Sequence, residues 1–290
     1  MKIRALLLAA LLSSATSAFA ATKVEPGFNL FSSQQDVQIG QASAAQIERQ
    51  LPLLSSPRAA QFVQRVGQRL AAQAPGPKFT YRFKVVNASD MNAFALPGGY
   101  VYVNRGLVER VKTEGQLAGV LAHEIAHVAL RHPTQQMSKA YAARAGAGVV
   151  LGLLGQGSGT STRNVVNTVG GVGLNTLFLK FSRTAERDAD VLGVQVLSRA
   201  GYDPREMADF FTLMRKEQGR DPGKVATFFS SHPATADRLT RVRAEAASLA
   251  STPRRAPVGG LTVAQSELRA LSPAPPLAQL VSRSPARTLR

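Results

Sequence analysis

From residue 32 to residue 73, apolar and polar positions recur with helical spacing, broken near Leu51-Pro52 and resumed at Ser56-Pro57, where a capping serine precedes a proline suited to a first helical turn. Two helices are predicted. Phe79, Tyr81, Phe83 and Val85 then occupy every second position, with Thr80, Arg82 and Lys84 between them, which is the period of a half-buried strand. Val101 and Val103 mark a second short strand after a turn at Pro97-Gly98-Gly99, so a hairpin or small sheet precedes the next helix. Thr113-Glu-Gly-Gln116 has the form of a capping box, and the helix it opens should reach about Arg131, because His132 stands before Pro133. Ser182 can cap a further helix through Ala200, closed by Gly201, and Asp203-Pro204-Arg205-Glu206 starts another. The pattern predicts a mainly helical α+β domain with a small β-sheet.

Three stretches depart from it. Residues 141–181 combine nine glycines with small apolar residues, which fits either a loosely packed helix pair or a lid or membrane-touching loop. Beyond Leu249 the chain is rich in Pro, Ala, Ser and Arg, with Glu267 as its one acidic residue, so residues 251–290 read as a flexible basic tail with at most one short helix. At the other end Lys2 and Arg4 precede an apolar run from Ala5 to Leu12 and an Ala18-Phe19-Ala20 cleavage pattern, so residues 1–20 read as a signal peptide and Ala21 as the mature start. The predicted domain is therefore 21–250.

Composition narrows the chemistry. With no cysteine there is no disulfide, thiolate nucleophile or thiolate metal ligand, which suits an exported chain of the bacterial periplasm. The formal charge of +17 loses only Lys2 and Arg4 with the signal peptide, and such a field favours contact with an anionic membrane surface. Export and the lack of any base-reading or stacking motif exclude a nucleic-acid partner.

The most informative segment is His123-Glu-Ile-Ala-His127. Imidazoles four apart share one helix face and can hold one Zn2+, with Glu124 beside them as general base. Ile125, Ala126, Val128, Ala129 and Leu130 imply a buried helix, where two histidines and a glutamate without partners would be costly. A catalytic zinc takes three protein ligands and keeps one position open. A third histidine at metzincin spacing is missing, since Leu130 stands where that motif has glycine and His132 comes one residue early. The first carboxylate downstream is Glu186, followed by Asp188 and Asp190. Glu186 and Asp190 share a face, so Glu186 can bind the ion while Asp190 accepts a hydrogen bond from a ligand imidazole; Asp188 points elsewhere. Ala185, Ala189 and Gly193 would let this helix approach the first closely. His232 is open to three readings: a donor to the oxyanion, a zinc contact in a resting state, or a loop histidine. His132, at a helix C-terminus that favours a cation, reads as structural.

These residues, in this order, resemble a known family: the zinc metallopeptidases that include HtpX and the CAAX prenyl-protein endopeptidases, and within it the soluble exported BepA-like branch. The resemblance rests on Asn92 through Leu107, on His123 through His132, on Glu186-Arg-Asp-Ala-Asp190 and on Ser231-His232-Pro233, and spans about residues 30 to 245. It implies a gluzincin-type domain with one Zn2+ per chain held by His123, His127 and Glu186, Asp190 behind them, and His232 beside the metal as a regulatory or transition-state residue. It also implies that the segment from Asn92 to Val103 contains an edge strand that receives substrate, with Asn92, Ala93, Phe94, Gly98 and Gly99 as contacts. The substrates implied are unfolded or misassembled envelope polypeptides, at or near the outer membrane. The spanning helices of HtpX have no counterpart here, and a basic tail stands where BepA carries a repeat domain. A rival reading is a zinc-stabilised chaperone or assembly factor with latent proteolysis; an intact Glu124 favours the enzyme.

Overall fold

The structure is a computed structural model that describes residues 21–155, 180–232, 236–249 and 253–283. The proposed signal peptide and most of the glycine-rich segment lie outside these residues. The two predicted N-terminal helices form as α1 (Ser33–Gln50) and α2 (Pro57–Ala71). Ser32 caps α1 in a reciprocal capping box with Gln35. Ser56 does not cap α2. Its hydroxyl donates to Glu267, and that carboxylate accepts the backbone N–H of Ala59 at 2.9 Å, so the capping comes from the far end of the chain.

The sheet has three strands, β1 (Arg82–Val86), β2 (Ala93–Leu96) and β3 (Tyr100–Asn104), in the order β1-β3-β2. β1 runs parallel and β2 antiparallel to β3. Alternation begins at Phe79 but strand pairing begins only at Arg82, and β2 had no alternating signal because both of its faces are covered. At the turn between β2 and β3, Gly98 and Gly99 have φ of 73° and 104°, which suits glycine. A Cβ on Gly98 would lie 2.6 Å from Cα of Val37 in α1, and one on Gly99 would lie 2.8 Å from the Thr80 carbonyl. Positive φ and this close backbone packing both call for glycine at these two positions.

α3 (Arg105–Arg110) leads into α4 (Glu114–Ala129), capped by Thr113, which accepts the N–H of Gln116 at 3.1 Å. Every residue of α4 is buried, because α2, β2 and two later helices enclose it. The first is α6 (Arg183–Arg199), which Ser182 caps as predicted. Where it crosses α4, a Cβ on Gly193 would lie 3.1 Å from both N and Cα of His123, so glycine lets the two helices approach this closely. The second is α7 (Glu206–Arg220), met at Gly119, whose added Cβ would lie 3.0 Å from Cα of Met207. α5 (His132–Gly155) precedes α6, and α8 (Pro222–Ser231) and α9 (Ala236–Ser248) follow α7. No helix of the described residues is long and apolar enough to cross a membrane.

The C-terminal segment, residues 253–283, packs against the domain. It forms α10 (Leu261–Arg269) and α11 (Leu277–Arg283), and buries Ala264, Leu268 and Leu277 completely. Arg105 donates to the carbonyls of Leu268, Leu271 and Ser272, and Asp90 accepts the N–H of Leu277 at 2.5 Å. Glu114 accepts the N–H groups of Val258 and Gly259 at 2.7 and 2.9 Å. Residues 253–283 are thus part of the folded domain, in place of a flexible tail with at most one short helix. Low hydrophobicity concealed this, because a few leucines and many backbone hydrogen bonds do the anchoring.

Candidate metal centre

α4 supplies His123, Glu124 and His127, α6 supplies Glu186 and Asp190, and His232 follows the last turn of α8. Each is at most 3% exposed. One ligating atom from each of His123, His127, Glu186 and His232 lies within 4.8 Å of the other three. Nε2 of His127 is 3.1 Å from Nε2 of His123, and Oε1 of Glu186 is 3.4 Å from Nε2 of His127. Nδ1 of His232 lies 2.9 Å from Oε1 of Glu186 and 3.3 Å from Nε2 of His123. Its Nε2 lies 3.4 Å from Oε1 of Glu124, so this ring is wedged between the donor group and the carboxylate expected as base.

A second layer holds the first. Oδ1 of Asp190 lies 3.2 Å from Nδ1 of His123. Arg238 of α9 donates to Asp190 through Nε at 2.9 Å and Nη2 at 2.7 Å, while its Nη1 lies 2.9 Å from Oε2 of Glu186. Phe181 stacks on His127 with centroids 4.1 Å apart, and Phe228 on His232 at 5.0 Å. Asp188 points away and pairs with Arg187 at 3.3 Å.

Burial and charge set the protonation of the metal-free group. Burial pushes Glu124 above the usual carboxylate range. Burial also acts to raise Glu186, but the charge of His232 and hydrogen bonds from the histidines hold it well below that range. Asp190 is likewise lowered, with burial outweighed by Arg238 and His123. Burial acts to lower His123, yet hydrogen bonds to Asp190 and Glu186 carry its pKa up to about 9. Burial takes His127 well below its normal value and His132 down to about 4.

Neutral His132 corrects the expected cation at a helix end. α4 stops at Ala129, Arg131 takes φ 60°, and His132 opens α5 with Nδ1 2.9 Å from Nδ1 of His127. Sequence reasoning also missed Arg238 and Phe181. Arg238 is one arginine among several in a basic stretch, and nothing in its spacing tied it to α6.

The donor set fits zinc. Two imidazole nitrogens face each other at 3.1 Å with a carboxylate oxygen beside them, and Oε1 of Glu124 is buried without a hydrogen-bond partner among the described residues. A cation between the nitrogens satisfies both lone pairs, and imidazole with carboxylate is the ligand chemistry zinc takes.

β2 packs beside α4 and has a single strand neighbour among the described residues. Asn92, Ala93 and Phe94 are buried, and Phe94 stacks on Tyr102 at 5.0 Å, so backbone is what this strand has left to offer a peptide.

The profile of peptidase family M48 matches residues 57–246. The beta-barrel assembly-enhancing protease of Escherichia coli (strain K12) is 30% identical over 219 residues, covering 72% of this chain and 43% of that protein. The mitochondrial metalloendopeptidase OMA1 of Schizosaccharomyces pombe is 31% identical over 181 residues, covering 62% and 51%. The metalloprotease YcaL of Escherichia coli (strain K12) is 29% identical over 187 residues, covering 63% and 70%. The chain spans less than half the length of the beta-barrel assembly-enhancing proteases it matches. With that profile covering α2 through most of α9 and the histidine and glutamate group inside it, the chain belongs to peptidase family M48.

Proposed function

We propose that this protein is a zinc-dependent endopeptidase of the bacterial cell envelope, acting on unfolded or misassembled envelope polypeptides. The observation that carries this reading is the placement of Glu124, a buried carboxylate one residue from His123, beside a donor group of two imidazoles and Glu186. Bound by His123, His127 and Glu186, zinc supplies the Lewis acidity that acidifies water and polarises a peptide carbonyl. Glu124 takes the proton and returns it to the leaving amine; burial raises its pKa above the usual carboxylate range, which suits both transfers. Asp190 and Arg238 keep His123 and Glu186 aimed at the metal.

His232 occupies the space between ligands and base, which supports a resting arrangement in which this ring withdraws before water and substrate enter. The edge strand β2 suits an extended peptide lying along Asn92, Ala93 and Phe94 towards the Gly98-Gly99 turn and held by the main-chain groups that β3 leaves free, a mode that selects unfolded segments over particular sequences. Residues 1–20 direct export to the periplasm, residues 21–250 carry the catalytic residues, and the basic charge favours peripheral contact with an anionic membrane. The intact Glu124 weighs against a chaperone that only binds clients.

The test is cleavage of an unfolded protein such as casein by the mature chain, before and after a chelator and again after zinc is restored. Activity that disappears and returns with zinc supports the proposal. Cleavage indifferent to the chelator contradicts it.

A further inference from the structure

His132 opens α5 directly after the break that ends α4, and its ring turns back to the metal group. Its Nδ1 lies 2.9 Å from Nδ1 of His127, with the rings inclined at 72°. Both side chains are buried. Two nitrogens at that separation share one hydrogen, so one donates and the other accepts. The far side of His127 decides which. Its Nε2 faces Nε2 of His123 at 3.1 Å and Oε1 of Glu186 at 3.4 Å, so Nε2 is the atom turned to the metal. A ligating nitrogen must present its lone pair, which leaves the proton of a neutral His127 on Nδ1. Nδ1 of His132 is then the acceptor.

We infer that His132 is a positioning residue for the metal, accepting the Nδ1–H of His127 and so fixing the tautomer and ring orientation that present Nε2 to zinc. This rests on the reading of His123, His127 and Glu186 as ligands. Residues five apart on an unbroken helix do not face each other, so the pair exists only because the helix breaks. The break depends on Arg131, whose φ of 60° lies in the left-handed region that side-chain-bearing residues rarely adopt. Buried Asp36 of α1 holds Arg131 there, accepting from Nε at 2.5 Å and from Nη2 at 3.1 Å, and the Phe31 carbonyl accepts from Nη2 as well. Phe181 stacked on the His127 face restrains the ring in a second direction.

The experiment measures zinc affinity of the full mature chain by competition with a chromophoric chelator, for wild type, His132→Phe and His132→Asn. Phenylalanine keeps the ring and removes the acceptor, whereas asparagine places an oxygen near the Nδ1 position. The expected result is a zinc affinity weakened roughly 10–100-fold in His132→Phe, with the unfolding temperature of the metal-free protein retained, and most of the loss recovered in His132→Asn. Wild-type affinity in His132→Phe overturns the inference, and so does an asparagine variant as weak as phenylalanine. A wild type that takes up no zinc defeats the ligand reading itself, which is a distinct outcome. Should His132→Phe not fold, nitrogen-15 spectra of the zinc-loaded wild type decide: a coupling across the hydrogen bond between the two Nδ1 atoms supports the inference, and assigned rings without it overturn it.

Discussion

Arg238 grips Asp190 with two hydrogen bonds of 2.9 and 2.7 Å, and the same guanidinium lies 2.9 Å from Glu186, so one cation from α9 braces both carboxylates of α6. All three side chains are at most 5% exposed. Removing one partner from a buried charge network leaves the others uncompensated, at a cost of about 3–5 kcal/mol. Arg238→Leu should therefore lower stability by that amount and weaken zinc binding, with thermal unfolding and chelator competition as readouts. A variant of wild-type stability with wild-type zinc affinity would show that the clamp has no role.

His232 lies 2.9 Å from Glu186 and 3.4 Å from Glu124, in the space proposed for water and substrate. His232→Ala leaves the three proposed ligands in place, so zinc should be retained while basal cleavage of an unfolded substrate rises several-fold. Loss of zinc from this variant would instead make His232 an obligatory ligand, and loss of cleavage with zinc kept would make its catalytic role dominant.

Zinc uptake should be coupled to proton release through His123. Burial acts to lower its pKa, but hydrogen bonds to Asp190 and Glu186 raise it to about 9 in the metal-free protein. Below pH 9 the imidazole is protonated and the metal must displace that proton. Apparent zinc affinity should thus fall about tenfold for each pH unit below 9, with about one proton released at pH 7.5. Titration calorimetry in buffers of different ionisation enthalpy measures the number, and no release at pH 7.5 would contradict the assignment.

The C-terminal segment belongs to the domain, so truncation after residue 252 should be costly. Leu268 and Leu277 are fully buried, and burial of a leucine contributes about 1.5–3 kcal/mol. The two together predict a loss of roughly 3–6 kcal/mol, before Arg105 loses its carbonyl acceptors at Leu268, Leu271 and Ser272. An unchanged denaturation midpoint would mean that the segment is dispensable.

The grouping of candidate donors could be read from the sequence because side chains on one helix face follow fixed spacing. His123 and His127 share a face of α4 and Glu186 and Asp190 share a face of α6, while Gly193 marks where the two helices touch. What escaped was contact without local periodicity. Arg238 reaches Asp190 across 48 residues of chain, and Glu267 caps α2 from 208 residues away. The break at Arg131 escaped as well, since the proline after His132 signalled an ended helix but not a left-handed residue that returns His132 to His127. β2 was reached only through the family resemblance, because a four-residue strand with both faces covered carries no alternation.

The most direct test of the central claim compares wild type with Glu124→Gln, measuring zinc content and casein cleavage on the same preparations. The amide fills the same space but cannot take a proton, and Glu124 is not among the three proposed ligands. Glu124→Gln should keep full zinc occupancy, with cleavage reduced by at least about a hundredfold. Cleavage at the wild-type rate by a zinc-loaded Glu124→Gln would contradict the claim.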